Sequence, residues 1–400
     1  MKIKIIERKI IGSLNICLVL GFLLLSFINL KATPLFLKQK EEPVKDSLTK
    51  FQKFNIKAER LFKILPVPVS SYSSETGAVL GLAKYNLVTL IKSDTISTAA
   101  KFNELVSVSS EGQYKLTFGN NLYFHSNKYH LIGEANFIKF PEYFSGIGND
   151  SKDKILEEVE IEKLSFNNSI LIGCNKKNTL YAGVHQKYSN YLSVEKIYRS
   201  LSEQSNVLRQ IEYPGHEGGV VSGLGGGVVY DDRDNRYNAS NGNFLSASYL
   251  LYDKFLGSKY ALSSLELDFR RYFNPFKDQV LAMQFYVKSN FGTVPFYSLA
   301  MMGGGNRMRG YYLGRIRDKV EADFQLEYRA HVWSVFGLTA FCSAGRVASD
   351  ISSLSTDNLW YAGGFGLRIM VDKENKANLR IDFGYGENSH ALIIGFTEAF

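Results

Sequence analysis

Residues 320–332 read VEADFQLEYRAHV, and the alternation in that stretch decides the fold. Ala322, Phe324, Leu326, Tyr328, Ala330 and Val332 share one face of an extended chain, while Glu321, Asp323, Gln325, Glu327, Arg329 and His331 share the other. Successive side chains of a strand point to opposite sides, so one face is wholly apolar and the other wholly polar. A polar face of this kind cannot pack into a dry core. It suits a wet lumen with lipid on the outside.

The same pattern extends in both directions along the chain. In 376–385, Ala377, Leu379, Ile381, Phe383 and Tyr385 oppose Lys376, Asn378, Arg380 and Asp382. In 281–291, Leu281, Met283, Phe285, Val287 and Phe291 oppose Gln284, Tyr286, Lys288 and Asn290. Similar runs lie near 78–91, 97–109, 112–124, 127–139, 158–173, 178–192, 218–231, 243–256, 259–273, 337–348, 359–371 and 390–400, which brings the total to fifteen. A closed single-chain bacterial barrel has an even number of strands, so the expectation is sixteen, with the last one in 63–75 or 140–157. The fold class is therefore all-β: a closed antiparallel transmembrane β-barrel over residues 66–400. A soluble sandwich or propeller would turn apolar residues inward and carry more proline in its turns.

Composition agrees. Hydrophobic residues make up 45% and charged residues 22%, and 24 Tyr and 28 Phe supply rings for girdles at both membrane interfaces. MKIKIIERKI followed by the apolar IGSLNICLVLGFLLLSFINL reads as a secretory signal peptide over 1–32, with cleavage before Thr33. No other segment reaches the roughly 18 unbroken apolar residues of a spanning helix. Lys2, Lys4, Arg8, Lys9 and Lys31 against Glu7 place four of the eight net positive charges in that leader. The remainder is scattered without a basic face, which argues against nucleic acid. Residues 33–65 are polar and lysine-rich, and too few for a folded module, so they read as a short periplasmic segment. Cys174 and Cys342 show no disulfide-framework spacing.

GGGNRMRGYYLGR (303–315) lies between the 281–291 and 320–332 strands. Arg309 offers a planar fork of donors suited to luminal carboxylates. Gly310 permits a turn that a side chain would forbid, and Tyr311 adds a large surface with a polar tip. The segment resembles the inward-folded loop of the BamA/TamA outer-membrane assembly superfamily, also called bacterial surface antigens, in which an Arg-Gly-(Phe/Tyr) tip reaches into the lumen. Five candidate strands follow it, as that pattern requires. VVYDDRDNRYNASNGNFLSASY (228–249) resembles the family's strand, turn and Gly-led strand, with Asp232, Arg233, Asp234, Asn235 and Gly242 carrying the turn. LEYR (326–329) matches the glutamate-bearing strand after the loop, and AFCSAGRV (340–347) the next one, so Glu327, Phe341, Ser343 and Gly345 are the luminal partners of the tip. The family's usual aspartate is Ser343 here, which makes Glu327 the leading partner of Arg309 and Ser343 at most a neutral acceptor. HALIIGFTEAF (390–400) ends on an aromatic, and Phe396 and Phe400 resemble the signal read by the barrel-assembly machinery.

Other constellations fail. GLGGGVV (223–229) leads into a strand rather than a helix N-terminus, so it offers no phosphate cradle. His216-Glu217 has no further ligand at useful spacing, and no nucleophile motif is present, so neither a metal, a cofactor nor an enzyme is expected.

The resemblance implies a barrel-only member, without the periplasmic POTRA modules of its relatives, placed in the outer membrane of a Gram-negative cell with a periplasmic N-terminus. It would assist insertion or translocation of protein or lipid through a lateral seam between the first and last strands. Its partners would be outer-membrane lipids and lipopolysaccharide, the barrel-assembly machinery during biogenesis, and a client outer-membrane protein or accessory periplasmic protein. The alternative is a passive pore or structural surface antigen with no client.

Overall fold

Amphipathic runs joined by short turns pair with their neighbours in the chain. A computed structural model describes residues 66–73, 77–149, 157–196 and 212–400, and in it sixteen strands form a single antiparallel sheet in chain order. They are β1 (Val67–Ser73), β2 (Gly77–Val88), β3 (Ala100–Ser109), β4 (Tyr114–Phe124), β5 (Tyr129–Phe144), β6 (Glu157–Gly173), β7 (Leu180–Lys196), β8 (Gly219–Asp231), β9 (Gly242–Tyr252), β10 (Leu262–Phe273), β11 (Gln279–Gly292), β14 (Val320–Trp333), β15 (Phe336–Ala348), β16 (Trp360–Asp372), β17 (Ala377–Gly386) and β18 (Ser389–Phe396). Between β11 and β14 lies a two-stranded hairpin of β12 (Ala300–Met302) and β13 (Ile316–Asp318). The leader 1–32 and the segment 33–65 lie outside the described residues.

The sixteenth strand is β1, within the 63–75 window; the 140–157 window instead lengthens β5 to Phe144. Each strand is joined by a backbone ladder to the next, and among the described residues no ladder returns from β18 to β1. The barrel is thus nearly closed, with one seam. Its two edges are the shortest barrel strands, of 7 and 8 residues. Side chains cross where backbone does not: Phe396 of β18 stacks on Tyr85 of β2 at 5.0 Å.

The alternation sorts as expected. Leu80, Leu82, Val106, Val184 and Leu392 are more than half exposed on the outer face. On β14, Glu321, Asp323, Gln325 and Glu327 are buried on the inner face. The expected wet lumen is corrected, however. The interior is packed with inserted segments, and many of the inward charges among the described residues pair ionically with residues of those segments, which offsets part of their desolvation. The 293–319 loop enters from the end opposite the one where β1 starts and β18 stops. There Phe296, Tyr297 and Leu299 join Phe144, Tyr191 and Val221 in an apolar cluster. At the terminal end, the β8–β9 turn and residues 397–400 fold into the bore.

The last strand is also corrected. It stops at Phe396, Thr397 takes φ +71°, and the chain turns into the barrel. Phe400, expected on the same face as Leu392 and Ile394, is instead buried beside Tyr272, with ring centroids 6.3 Å apart. The reason lies in Glu398. Continued alternation would aim it at lipid, whereas the inward turn gives it Arg368 at 2.7 Å and the Asn378 amide at 2.6 Å.

Candidate functional site

The tip of the inserted loop is Arg309, which is fully buried. Its Nη2 donates to Glu327 Oε2 at 2.5 Å, its Nη1 donates to Asp382 Oδ2 at 2.6 Å, and its guanidinium lies 3.6 Å over the Phe341 ring. Each carboxylate is shared. Glu327 also takes Arg329 Nε at 2.5 Å, and Asp382 also takes Arg368 at 2.5 Å and Arg380 at 3.2 Å. Glu398 joins Arg368 to the same lattice.

Glu327 is thus a partner as expected, but it does not bear most of the pairing: a second carboxylate, Asp382 on β17, holds Arg309 equally closely. Ser343 is buried, but its hydroxyl donates to the Ala362 carbonyl at 3.4 Å and serves the wall rather than the tip. A guanidinium has donors on two edges, so one carboxylate from β14 and one from β17 grip it from opposite sides.

β17 also makes room for the tip. Gly310 has φ +143°, and a Cβ there would collide with the Tyr385 backbone. A Cβ on Gly384 would strike the Arg309 carbonyl, and one on Gly386 would enter the Tyr311 ring. Tyr311 is buried; its hydroxyl donates to the Tyr361 carbonyl and accepts the Glu387 amide, both at 2.7 Å. Trp360 meets its ring edge-on at 5.7 Å. Gly345 faces inward where a Cβ would lie 2.7 Å from Met302 Sδ in the loop. The sequence does carry a signal for this strand: Asp382, Gly384 and Gly386 alternate on one face, a carboxylate followed by two positions with no side chain. Of the other loop arginines, Arg315 donates to the Asn388 carbonyl at 3.3 Å and two are ion-paired. Arg307 binds Glu321 and Asp323 and stacks on Tyr286, and Arg317 binds Glu142.

The β8–β9 turn is a second constellation. Arg233 forks onto Asp231 with contacts of 2.8 and 2.9 Å. Asp232 accepts the Asn243 amide at 2.5 Å, Asp234 the Ser240 and Asn241 amides at 2.8 and 3.1 Å, and Asn235 the Tyr237 and Asn238 amides at 2.8 and 2.9 Å. Gly242 has φ +106°, with space for a Cβ only 2.6 Å from the Asp232 carbonyl. Burial pushes the Asp234 carboxyl up, but hydrogen bonds from Ser240, Asn241 and Asn235 outweigh it and hold the group below the ordinary carboxylate range. Arg236, which no motif singled out, reaches the Tyr181 hydroxyl at 3.0 Å and lies 4.3 Å over Tyr123. Tyr237 donates to the Ala99 carbonyl. The turn is thus folded inward at the terminal end of the lumen.

Residues 93–391 match the Omp85 superfamily domain. Among solved structures, BamA from Haemophilus ducreyi lacking POTRA domains 1-3 is similar at 12% identity and TM-score 0.48, over 86% of this chain and 77% of that one. CdiB from Escherichia coli is similar at 9% identity and TM-score 0.51, over 83% of this chain and 60% of that one. CdiB from Acinetobacter baumannii gives 15% and 0.48, over 83% and 58%. This chain therefore spans less than two thirds of either CdiB chain, and likeness at such identities concerns the fold alone. No curated protein matches the sequence.

Proposed function

This chain belongs to the Omp85 superfamily, and on that premise we propose that it sits in the outer membrane of a Gram-negative cell and assists insertion or translocation of protein or lipid there. The terminal end faces the periplasm and the loop end the exterior. The observation that carries the reading is the seam: β1 and β18 are the shortest barrel strands and share no ladder among the described residues. Unpaired strand edges are costly in hydrocarbon. A client strand with unpaired edges of its own is stabilised at such a place, and lateral opening there needs few broken hydrogen bonds. The partners are membrane lipids and lipopolysaccharide, the assembly machinery during biogenesis, and a client or accessory periplasmic protein. A lumen filled by the Arg309 loop and the inward turn speaks against a wide passive pore.

The test is to tie the seam. Cysteines placed at Tyr85 and Phe396, whose rings stack at 5.0 Å, are bridged by a short thiol-reactive linker in barrels reconstituted into liposomes. Insertion of an unfolded outer-membrane protein is then followed by protease protection. Bridged barrels are expected to lose the acceleration that unbridged ones give. Equal acceleration in both would overturn lateral opening, and a steady wide conductance in planar bilayers would favour the pore.

A further inference from the structure

At the terminal end of the lumen, between the inward β8–β9 turn and the Arg309 loop, a cavity of about 340 Å³ remains. Five cations line it: Lys101, Arg233, Arg236, Arg270 and Arg380. The carboxylates that answer them are too few. Asp231 serves both Arg233 at 2.8 Å and Arg236 at 3.2 Å. Arg270 holds Asp268, while Arg380 shares Asp382 with Arg309 and Arg368. Glu398 is taken by Arg368 at 2.7 Å, with Arg329 at 3.6 Å. Lys101 Nζ has the Thr397 hydroxyl at 3.2 Å and two aromatic rings, but no carboxylate within ion-pair distance among the described residues. Arg380 is 4% exposed, and its Nε has no hydrogen-bond partner among the described residues.

Around and behind the cavity, Lys101 and seven arginines (233, 236, 270, 309, 329, 368 and 380) thus stand against Asp231, Asp268, Glu327, Asp382 and Glu398. Counting side chains alone, three positive charges are left over, with Arg329 donating in addition to the Phe400 carbonyl at 3.0 Å. Elsewhere in the lumen Arg307 has two carboxylates, Arg317 has Glu142 and Lys187 has Glu266. Uncompensated charge in a confined, partly desolvated cavity is costly, and a multivalent anion would relieve it.

We propose that this cavity binds a phosphate-class anion, with Lys101 and Arg380 as its principal donors. Such an anion would touch all three inserted segments, since Asn306 of the loop, Arg236 of the turn and Thr397 of the tail line the same space. It would therefore tie the two plugs together. Two sources share this chemistry. Free phosphate would enter from the terminal end, whereas a lipid headgroup would enter sideways, because Lys101 on β3 and Phe396 on β18 both lie near the seam.

The experiment uses the full barrel purified in detergent. Melting of the folded band is measured after lipid removal, in inorganic phosphate and in chloride at matched ionic strength. Native mass spectrometry of the mildly extracted barrel is run in parallel. If the source is free phosphate, the melting point rises saturably with phosphate, and Lys101→Gln raises the half-saturating concentration at least about tenfold, as loss of one charged hydrogen bond implies. If the source is lipid, one phospholipid remains bound to the wild-type barrel and is lost in Lys101→Gln. Lys101→Arg should keep binding in either arm, which separates lost recognition from lost folding. The proposal is overturned if phosphate has no saturable effect and no phospholipid is retained, or if Lys101→Gln matches the wild type in both arms.

Discussion

Neutralising Asp382 tests the loop lattice most directly. Its carboxylate is fully buried and receives three guanidinium groups, Arg368 at 2.5 Å, Arg309 at 2.6 Å and Arg380 at 3.2 Å. Four arginines, 309, 329, 368 and 380, already face only Glu327, Asp382 and Glu398. Asp382→Asn widens that deficit, and breaking a buried pair from one side costs about 3–5 kcal/mol. Arg309→Ala acts the other way. It removes one of four cations and leaves Glu327 with Arg329, and Asp382 with Arg368 and Arg380, so no carboxylate is stranded. Its cost should be smaller, about 2 kcal/mol, and come from loss of the tip's hydrogen bonds. In the Asp382→Asn background, Arg309→Ala should cost little or even restore stability, a coupling of about 2–3 kcal/mol. Urea unfolding of the barrel in micelles measures the cycle, and trypsin access to residues 303–315 reports the loop independently. Additivity within about 0.5 kcal/mol would refute the shared-clamp account, as would free cleavage of the loop in the wild type.

Ser343→Asp, on the same strand and face as Phe341, should restore part of the stability lost in Asp382→Asn and be read in the same urea titration; no rescue would show that a carboxylate at position 343 cannot reach the Arg309 guanidinium. Gly386→Ala places a methyl inside the Tyr311 ring and should cost about 1–3 kcal/mol, with faster trypsin cleavage after Arg307 and Arg309. Phe400→Ala removes a ring buried against Tyr272 and should cost up to about 3–5 kcal/mol; a pulse-chase of Phe400→Asp asks separately whether the residue also directs assembly, with slowed appearance of the folded form expected. Asp234 has a depressed carboxyl, so its stabilisation is present above the unfolded value of about 4 and is lost as pH falls through the lower folded value. Asp234→Asn should then cost about 1 kcal/mol at neutral pH, after screening by solvent, and flatten the acid limb of the melting profile.

What the sequence determined by itself is what depends on period and local chemistry. Alternation is a property of neighbouring residues, and in Val320–Trp333 it states which side chains face lipid and which face inward before any partner is known. The same logic located the strands, while the inserted loop, Glu327 and Phe341 beside Arg309, and the turn around Asp232–Gly242 were legible through the resemblance of their motifs to the BamA/TamA superfamily. What only the tertiary structure decided is which inward residues meet across the bore. Arg309 and Asp382 are 73 positions apart, and no rule of sequence spacing links a loop tip to the fourth barrel strand after it. The Ser343 position misled for that reason: the missing carboxylate was supplied from β17, since a buried guanidinium requires charge nearby but not from a particular strand. Likewise, alternation through Phe396 read as a strand to the end of the given sequence. The gain from seating Glu398 against Arg368 and Phe400 against Tyr272 exists only once the barrel has brought those strands together.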